Sequence, residues 1–387
     1  MTKRITTFSL PENTGTMTRR TALRNLAAGA TALAVSPFAL SSLAGAHPAK
    51  RSNNRDIVLA MVGGQHIHAP NFAERMAGAE NVVTKYQWDS NPDTARRRQE
   101  VTGGEIAESP DQIFNDPEVD GVVICSITDK HIDLVPAAAR AGKHIFAEKP
   151  VGLNGSQAET IANAVNNAGV LFQTGYFMRS NPANLMVQRL IQDGTLGKIT
   201  RLRLSNVHSG AIGGWFDGEW RWMADVEKAG VGAFGDLGSH VFDLLLWLMK
   251  DDKPVSCTGH IEQAIARYPG CDEYGEGMVV FDSGAVATVA GGWVDHANPN
   301  QLEVSGTKGH ARITNGQLYL NIPDWDTNAN EPWTDLPDGW KHPLELFFDA
   351  VSGEGNLPLI TADEAAGVNR LVTEVYRGNE TKSWIQL

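Results

Sequence analysis

Cysteine is scarce in this 387-residue sequence, with only Cys125, Cys257 and Cys271, at spacings that make neither a disulfide framework nor a zinc pattern. At most one bridge is open to them, and Cys257 and Cys271 are the only pair outside a predicted buried strand. Positive charge is also short. Lys and Arg total 33 against 45 Asp and Glu, a formal net charge of −12, which argues against nucleic acid or an anionic membrane surface as partner. Beyond residue 46 no apolar run reaches the roughly 20 residues of a membrane span. There is no internal repeat, and low complexity is confined to the N-terminal leader and a short polar stretch after it.

What is present begins with Arg19-Arg20, inside "TRRTALR", ahead of the weakly apolar "AAGATALAVSPFALSSLAGA". Paired arginines before such a run, closed by Ala44-Gly45-Ala46, read as a twin-arginine signal peptide over 1–46 with cleavage before His47. A membrane anchor is the competing reading, but Gly, Ser and Pro37 interrupt the run. Met17 is a second plausible start. The stretch 47–55, "HPAKRSNNR", is a linker, and the mature chain carries a formal charge near −16. The expected location is the periplasm. The remaining length of about 340 residues suits two domains.

From Asp56 short apolar runs alternate with helical ones: "IVLAMV", "NVVTKYQW", "DGVVICS" and "HIFAE" as strands, "NFAERMAG", "DTARRRQEV" and "HIDLVPAAARAG" as helices. Apolar strands at this spacing predict a parallel sheet covered on both faces, a Rossmann-like domain over 56–175 with its ligand at the C-terminal strand ends. The first strand runs into Gly63-Gly64-Gln65-His66-Ile67-His68. A dinucleotide fingerprint places glycines where Gly63, Gln65 and His68 stand, so only the tight-turn glycine is present. The second strand ends at Asp89, the distance at which a carboxylate takes ribose hydroxyls. Its charge would repel a 2′-phosphate and favours NAD, although Arg96, Arg97 and Arg98 leave NADP open. Asp89 is equally suited to capping the next helix, as are Ser90, Asn91 and Asp93. His66 and His68 alone, two apart and with no carboxylate cluster in the nearby sequence, make a poor metal site, and no metal is expected.

Glu148-Lys149-Pro150 follows a strand directly, an ionisable pair at the edge where such sheets bind ligands. The run "VVICSITDKHIDLVPAAARAGKHIFAEKPVG" resembles the diagnostic segment of the glucose–fructose oxidoreductase, inositol dehydrogenase and MocA (Gfo/Idh/MocA) family. "GYFMRSNPANLMVQRLIQDGTLGKITRLRLS" is similar to that family's crossover into its second domain, and "GAFGDLGSHVFDLLLWL" to its catalytic helix. "MVVFDSGAVATVAGGW" with "LEVSGTKGHARI" resembles its large open sheet, and the segment over 345–378 its closing helices. The resemblance implies an α/β fold. It pairs the Rossmann domain with a C-terminal α/β domain over 176–387 built on a large, open, mostly antiparallel sheet, with the active site between them. It also suggests a homo-oligomer, dimer or tetramer, joined through that sheet.

The family's catalytic Lys, Asp and His fall on Lys149, Asp236 and His240. The chemistry can be argued from residue type as well. Oxidising a CH–OH carbon needs a base for the hydroxyl proton, which an imidazole supplies, and a cation for the developing alkoxide, which Lys149 supplies. Asp236, four residues before His240 on a helix starting near Leu237, would orient His240 or hold its charge; it could equally be the N-cap. The cofactor is expected to touch Gly63, Gly64, Gln65, His66, Ile67, Asp89, Ser126, Thr128, His131, Glu148 and Lys149. Two departures from the family stand out: the glycines missing at Gln65 and His68, and Ser126-Ile127-Thr128 in place of Thr-Pro-Asn.

Trp215, Phe216, Trp220 and Trp222, with Asp217, Glu219 and Arg221, sit in one glycine-rich stretch. Aromatic faces beside charged groups suit a sugar, although each tryptophan taken alone fits a packing role as well. Tyr176, Arg179 and His208 are further substrate candidates. The expectation is an exported NAD(P)-dependent oxidoreductase acting on a sugar, polyol or glycoside, with its nucleotide loaded before export and held tightly. The alternatives are an NAD-dependent glycosidase working by transient oxidation and a non-catalytic sugar-binding protein. Replacing Arg19 and Arg20 by Lys is expected to leave folded, unprocessed protein in the cytoplasm. Unchanged processing in a cell-fractionation experiment would remove the signal assignment.

Overall fold

The computed structural model describes residues 56–387. The expected signal segment 1–46, the alternative start at Met17 and the linker 47–55 lie outside the described residues. Strands β1 (Ile57–Val62), β2 (Val82–Trp88), β3 (Glu105–Ile106), β4 (Gly121–Ile124), β5 (His144–Ala147) and β6 (Phe172–Thr174) form a parallel sheet in the order β3-β2-β1-β4-β5-β6. All four residues of β4 are buried, as a strand covered by helices on both faces requires. The order reverses between β1 and β4, and the ends of these two strands define the crevice where such sheets take ligands. The seven elements read from the alternating pattern appear within two residues of their expected ends. The two-residue β3 and the short Pro110–Phe114 helix escape that reading, being too brief to show a period.

The second sheet has eight strands: β7 (Ile199–Val207), β8 (Pro254–Glu262), β9 (Tyr274–Phe281), β10 (Val286–Gly292), β11 (Asn300–Gly306), β12 (His310–Thr314), β13 (Gln317–Asn321) and β14 (Ile385–Gln386). Their order is β13-β12-β11-β7-β10-β9-β8-β14. Only β7 and β10 pair in parallel, so the sheet is mixed and mostly antiparallel. One face is covered and the other open. Along β9, Gly275, Gly277, Val279 and Phe281 are buried while Tyr274, Glu276 and Met278 face outward.

The covered face carries the Ala233–Leu248 helix, which is buried at every position but Leu246. A helix apolar all round belongs in a core. By length and hydropathy the stretch Val226–Leu248 would also pass for a membrane helix, contrary to the expectation from uninterrupted runs, but 94% of its apolar window is buried inside the protein. Its N-terminus is held by two partners from distant sequence. Asp272 Oδ2 accepts from the Phe234 N–H at 2.8 Å, and Tyr376 Oη accepts from the Gly235 N–H at 3.0 Å while donating to Asp272 Oδ1 at 2.9 Å. Two orphan helix donors are satisfied in this way.

Two helices close the chain back onto both domains, over the region expected at 345–378. Pro343–Ser352 packs Leu344, Phe347 and Phe348 against Ile57, Met61, Phe72 and Phe146 of the first domain. Ala362–Thr381 lies against the Gly155–Ala168 helix, the Ala233–Leu248 helix and β8. Each begins with a capping box, His342 with Glu345 and Thr361 with Glu364, worth on the order of 1 kcal/mol apiece. The cysteine expectation needs correcting. Cys257 lies in β8, and Cys125, Cys257 and Cys271 are all buried free thiols.

Glycine sets how closely the Ala233–Leu248 helix approaches β10. A Cβ at Gly291 would lie 2.7 Å from the Phe234 carbonyl oxygen and 2.9 Å from the Gly238 nitrogen, both backbone atoms that cannot swing aside. Gly291→Ala is therefore expected to destabilise the protein by about 1–3 kcal/mol, read as a lowered urea midpoint. An unchanged midpoint would show that the helix can shift without cost.

Candidate active site

Lys149 stands just past the end of β5, and Asp236 in the first turns of the Ala233–Leu248 helix. The two meet across the domain boundary: Lys149 Nζ donates to Asp236 Oδ1 at 2.7 Å, with both side chains buried. Asp236 Oδ2 accepts from Trp293 Nε1 at 3.1 Å. Trp293 is fully buried and packs against Phe216, ring centroids 4.1 Å apart and tilted by 35°. Burial opposes ionisation of Asp236, but the Lys149 charge and hydrogen bond outweigh it and hold the carboxyl at about 2. The helix begins at Ala233 with Gly232 before it, four residues earlier than expected, so Asp236 is inside the helix and is not its N-cap.

His240 lies one turn further along the same helix. It is buried, its Nδ1 has no hydrogen-bond partner, and its ring meets the edges of Phe177 at 5.0 Å and Tyr176 at 5.9 Å. Burial first, and then the Lys149 charge, push its pKa well below the usual value, so the imidazole is neutral and able to accept a proton. Asp236 directs its oxygens to Lys149 and Trp293, and His240 Nδ1 has no partner, so Asp236 does not orient His240 through that nitrogen. Asp236 positions Lys149, while aromatic edges position His240.

The turn after β1 supplies the other wall. Gly63 has φ +81°, and a Cβ there would meet the Ser126 backbone at about 2.5 Å, so only glycine fits between the ends of β1 and β4. A pocket of about 230 Å³ opens beside it, lined by Gly63, Gln65, Trp88, Asp89, Ser126 and Ile127, with Lys130 at its rim. Asp89 Oδ2 accepts from the Gly64 N–H at 2.7 Å; Oδ1 accepts from Gln65 Nε2 and the Asn91 N–H, both at 2.7 Å. The carboxylate thus braces the turn as well as facing the pocket, and Asn91, not Asp89, caps the following helix. Arg98 donates from Nε to the Gly64 carbonyl at 3.2 Å and is buried, whereas Arg96 pairs with Asp93 and Arg97 with Glu219 on the surface.

Thr128 and His131 are buried beneath this wall. Ile67 packs against the aromatic cluster of the second domain. Further along the floor, His66 is buried and Glu148 fully so. Burial lowers the His66 pKa to about 3. Burial opposes ionisation of Glu148 too, but His68, His66 and Lys149 prevail and hold it well below the carboxylate range. Glu148 Oε2 and Thr174 Oγ1 are buried without a partner. A glycine turn between two strand ends, a pocket beside it and a carboxylate at the next strand end together fit a dinucleotide.

The substrate candidates divide. His208 and Trp215 come together, rings 4.6 Å apart, and Trp215 is 47% exposed. Trp222 is buried and donates from Nε1 to the Gln65 carbonyl at 3.1 Å, tying the second domain to the first turn. Trp220 packs partly buried on the same cluster, and Arg221 donates to the Ala224 carbonyl over the Tyr268 ring. The aromatic stretch is thus mostly a small core of its own. Arg179 is also corrected. Its guanidinium is buried and grips Asp243 through two bonds of 3.0 and 2.6 Å and Glu364 at 2.7 Å. That joins the Ala233–Leu248 and Ala362–Thr381 helices. Tyr176 is buried against His240. Trp293 was missed; its one sequence signal is the pair of glycines before it at the end of β10.

Residues 57–176 match the family described as "Oxidoreductase family, NAD-binding Rossmann fold", and residues 184–312 the "GFO/IDH/MocA C-terminal domain". The chain is 28% identical over 324 residues to scyllo-inositol 2-dehydrogenase (NAD(+)) of Bacillus subtilis, covering 78% of this chain and 86% of that protein. It is 26% identical over 267 residues to inositol 2-dehydrogenase of Rhizobium meliloti, covering 64% and 78%. Among solved structures, an aldose–aldose oxidoreductase from Caulobacter crescentus complexed with glycerol superposes with a TM-score of 0.72 at 21% identity, over 86% of this chain and 100% of that one. At this identity the superposition establishes the fold.

The Arg179 network separates a structural role from a substrate one. Arg179→Ala leaves Asp243 buried and unpaired, and is expected to cost about 3–5 kcal/mol of unfolding free energy while nucleotide affinity in the surviving folded protein changes little. A variant of parental stability with a raised KM would return Arg179 to the substrate.

Proposed function

The chain belongs to the Gfo/Idh/MocA family of NAD-dependent oxidoreductases, and on that premise we propose that it oxidises a ring CH–OH carbon of a sugar or cyclic polyol with Lys149 and His240 as its working groups. The observation that carries this reading is the buried Lys149–Asp236 contact of 2.7 Å with His240 one helical turn away. NAD, when bound, supplies the hydride acceptor. The protein's own part is to hold the alcohol, take its proton and stabilise the negative charge that grows on its oxygen.

Lys149 Nζ, held by Asp236, is the donor to the alcohol oxygen in this reading, and a preorganised cation stabilises an alkoxide without reorganising as the charge appears. His240 enters the reaction neutral, with Nδ1 unbonded, and is the base for the hydroxyl proton. Gly63 lets the backbone turn close to the nucleotide, and Asp89 at the rim of the adjoining pocket favours a ribose with free hydroxyls. The inositol dehydrogenases among its relatives support a polyhydroxylated ring as substrate. The exposed Trp215 against His208 offers an apolar face for such a ring.

The leader with paired arginines supports export of the folded protein to the periplasm with its nucleotide already in place. Outside the cytoplasm no pool of free nucleotide is maintained, so an oxidation on one substrate would be balanced by a reduction on another using the same bound cofactor. The open face of the eight-stranded sheet is the surface through which a homo-oligomer would assemble.

Single-turnover reduction of bound nucleotide, followed by absorbance with a panel of inositols, aldoses and glycosides, tests the assignment. His240→Ala is expected to slow this step by about 10²–10⁴-fold with nucleotide binding nearly intact, and Lys149→Ala at least as much. Because burial and Lys149 depress the His240 pKa, the neutral base persists as pH falls. The acid limb of kcat/KM should therefore lie below pH 6.5. An unimpaired His240→Ala protein, or aglycone release without net reduction, would overturn the reading.

A further inference from the structure

In sequence His66 and His68 offer two imidazoles and no third donor. The fold supplies one: Glu148, 80 residues away at the end of β5, reaches His68, with Nδ1 to Oε1 at 3.2 Å. The two imidazole rings are 4.8 Å apart at 62°. One donor atom from each of His66, His68 and Glu148 lies within 4.8 Å of the other two.

That geometry can be set against what an ion requires. Ligand atoms bound at about 2.1 Å in tetrahedral array stand about 3.4 Å apart. The His68–Glu148 separation already meets this, and the widest gap must close by about 1.4 Å. The His68 side chain is 38% exposed, which leaves its ring room to adjust. Glu148 is the fixed member, with Gly175 packed so closely that a Cβ there would lie 2.8 Å from Oε2. A simple ion pair with His68 accounts for Oε1 but leaves Oε2 buried and unpartnered. His66 can ligate through Nε2, or through Nδ1 by releasing its 3.2 Å bond from the His68 N–H.

We propose that His66, His68 and Glu148 bind one divalent first-row transition-metal ion, of the zinc or cobalt class, at the floor of the cleft beside Lys149. Two imidazoles and one carboxylate are the donors such ions select, whereas magnesium and calcium select oxygen alone. Three protein ligands leave a coordination position open, as in catalytic rather than structural sites. With Lys149 the very next residue after Glu148, the position suits a hydroxyl oxygen of the substrate, and this last step rests on the sugar or polyol reading above. The ion-binding site itself does not. The histidine standing at 68, where the dinucleotide turn would carry a glycine, thereby acquires a purpose as one of the donors.

The test titrates Co²⁺ into the full-length protein, freed of metal with a chelator, and follows visible absorption for tetrahedral or five-coordinate bands. One equivalent is expected, with affinity reduced at least about tenfold in His68→Ala and in Glu148→Gln. NAD binding is followed separately by tryptophan fluorescence. Should Glu148→Gln fail to fold, the half-exposed His68→Ala carries the comparison alone. No saturable Co²⁺ binding, or one equivalent bound undiminished in His68→Ala, would overturn the proposal. Absence of hydride transfer from every polyol and sugar would remove the substrate reading while leaving the Co²⁺ titration to decide the ion site independently.

Discussion

The contact between Lys149 and Asp236 organises the rest of the molecule, because neither charge could be buried without the other. Lys149 stands just past a strand of the Rossmann sheet, and Asp236 belongs to a core helix of the second domain. Taking either into the interior alone would cost several kcal/mol. The pair therefore constrains how the two domains meet. Trp293 completes it by donating to the second carboxylate oxygen. Electrostatics at the cleft thus serves the lysine first.

The Ala233–Leu248 helix is the element through which this constraint spreads. Asp236, His240 and Asp243 follow one another at four- and three-residue steps, so one face carries the lysine's partner, the neutral imidazole and the anchor for Arg179. That face is held in depth by Gly291, which lets β10 approach the helix backbone, and in length by Asp272 and Tyr376 at its N-terminus. Arg179 then ties the helix to Ala362–Thr381 through Glu364. A residue first taken for a substrate ligand is more useful as the joint that keeps Asp243, and with it the helix face, in register.

Much of the architecture was legible from local pattern. Strands such as "IVLAMV" and "GVVI" are apolar throughout and almost wholly buried, so the parallel sheet and its ligand-binding edge follow from composition and spacing. Lys149 could be placed at that edge for the same reason. The aromatic stretch from Trp215 to Trp222 was not legible in this way. A tryptophan's preference for a sugar face and for a core are the same preference for apolar contact, and only the packing of Phe216 on Trp293 and of Trp222 over Gln65 separates them.

By itself the sequence determined the element types, the two-domain order, the family likeness and the positions of Lys149, Asp236 and His240, because these depend on hydrophobic period and on short contiguous motifs. Tertiary structure alone decided the partners. Asp236 binding Lys149 and Trp293, Arg179 binding Asp243 and Glu364, and Glu148 meeting His68 join residues 57 to 185 positions apart. A side chain's hydrogen-bonding capacity is written in its chemistry, but which neighbour fills it depends on where the folded backbone brings distant segments together.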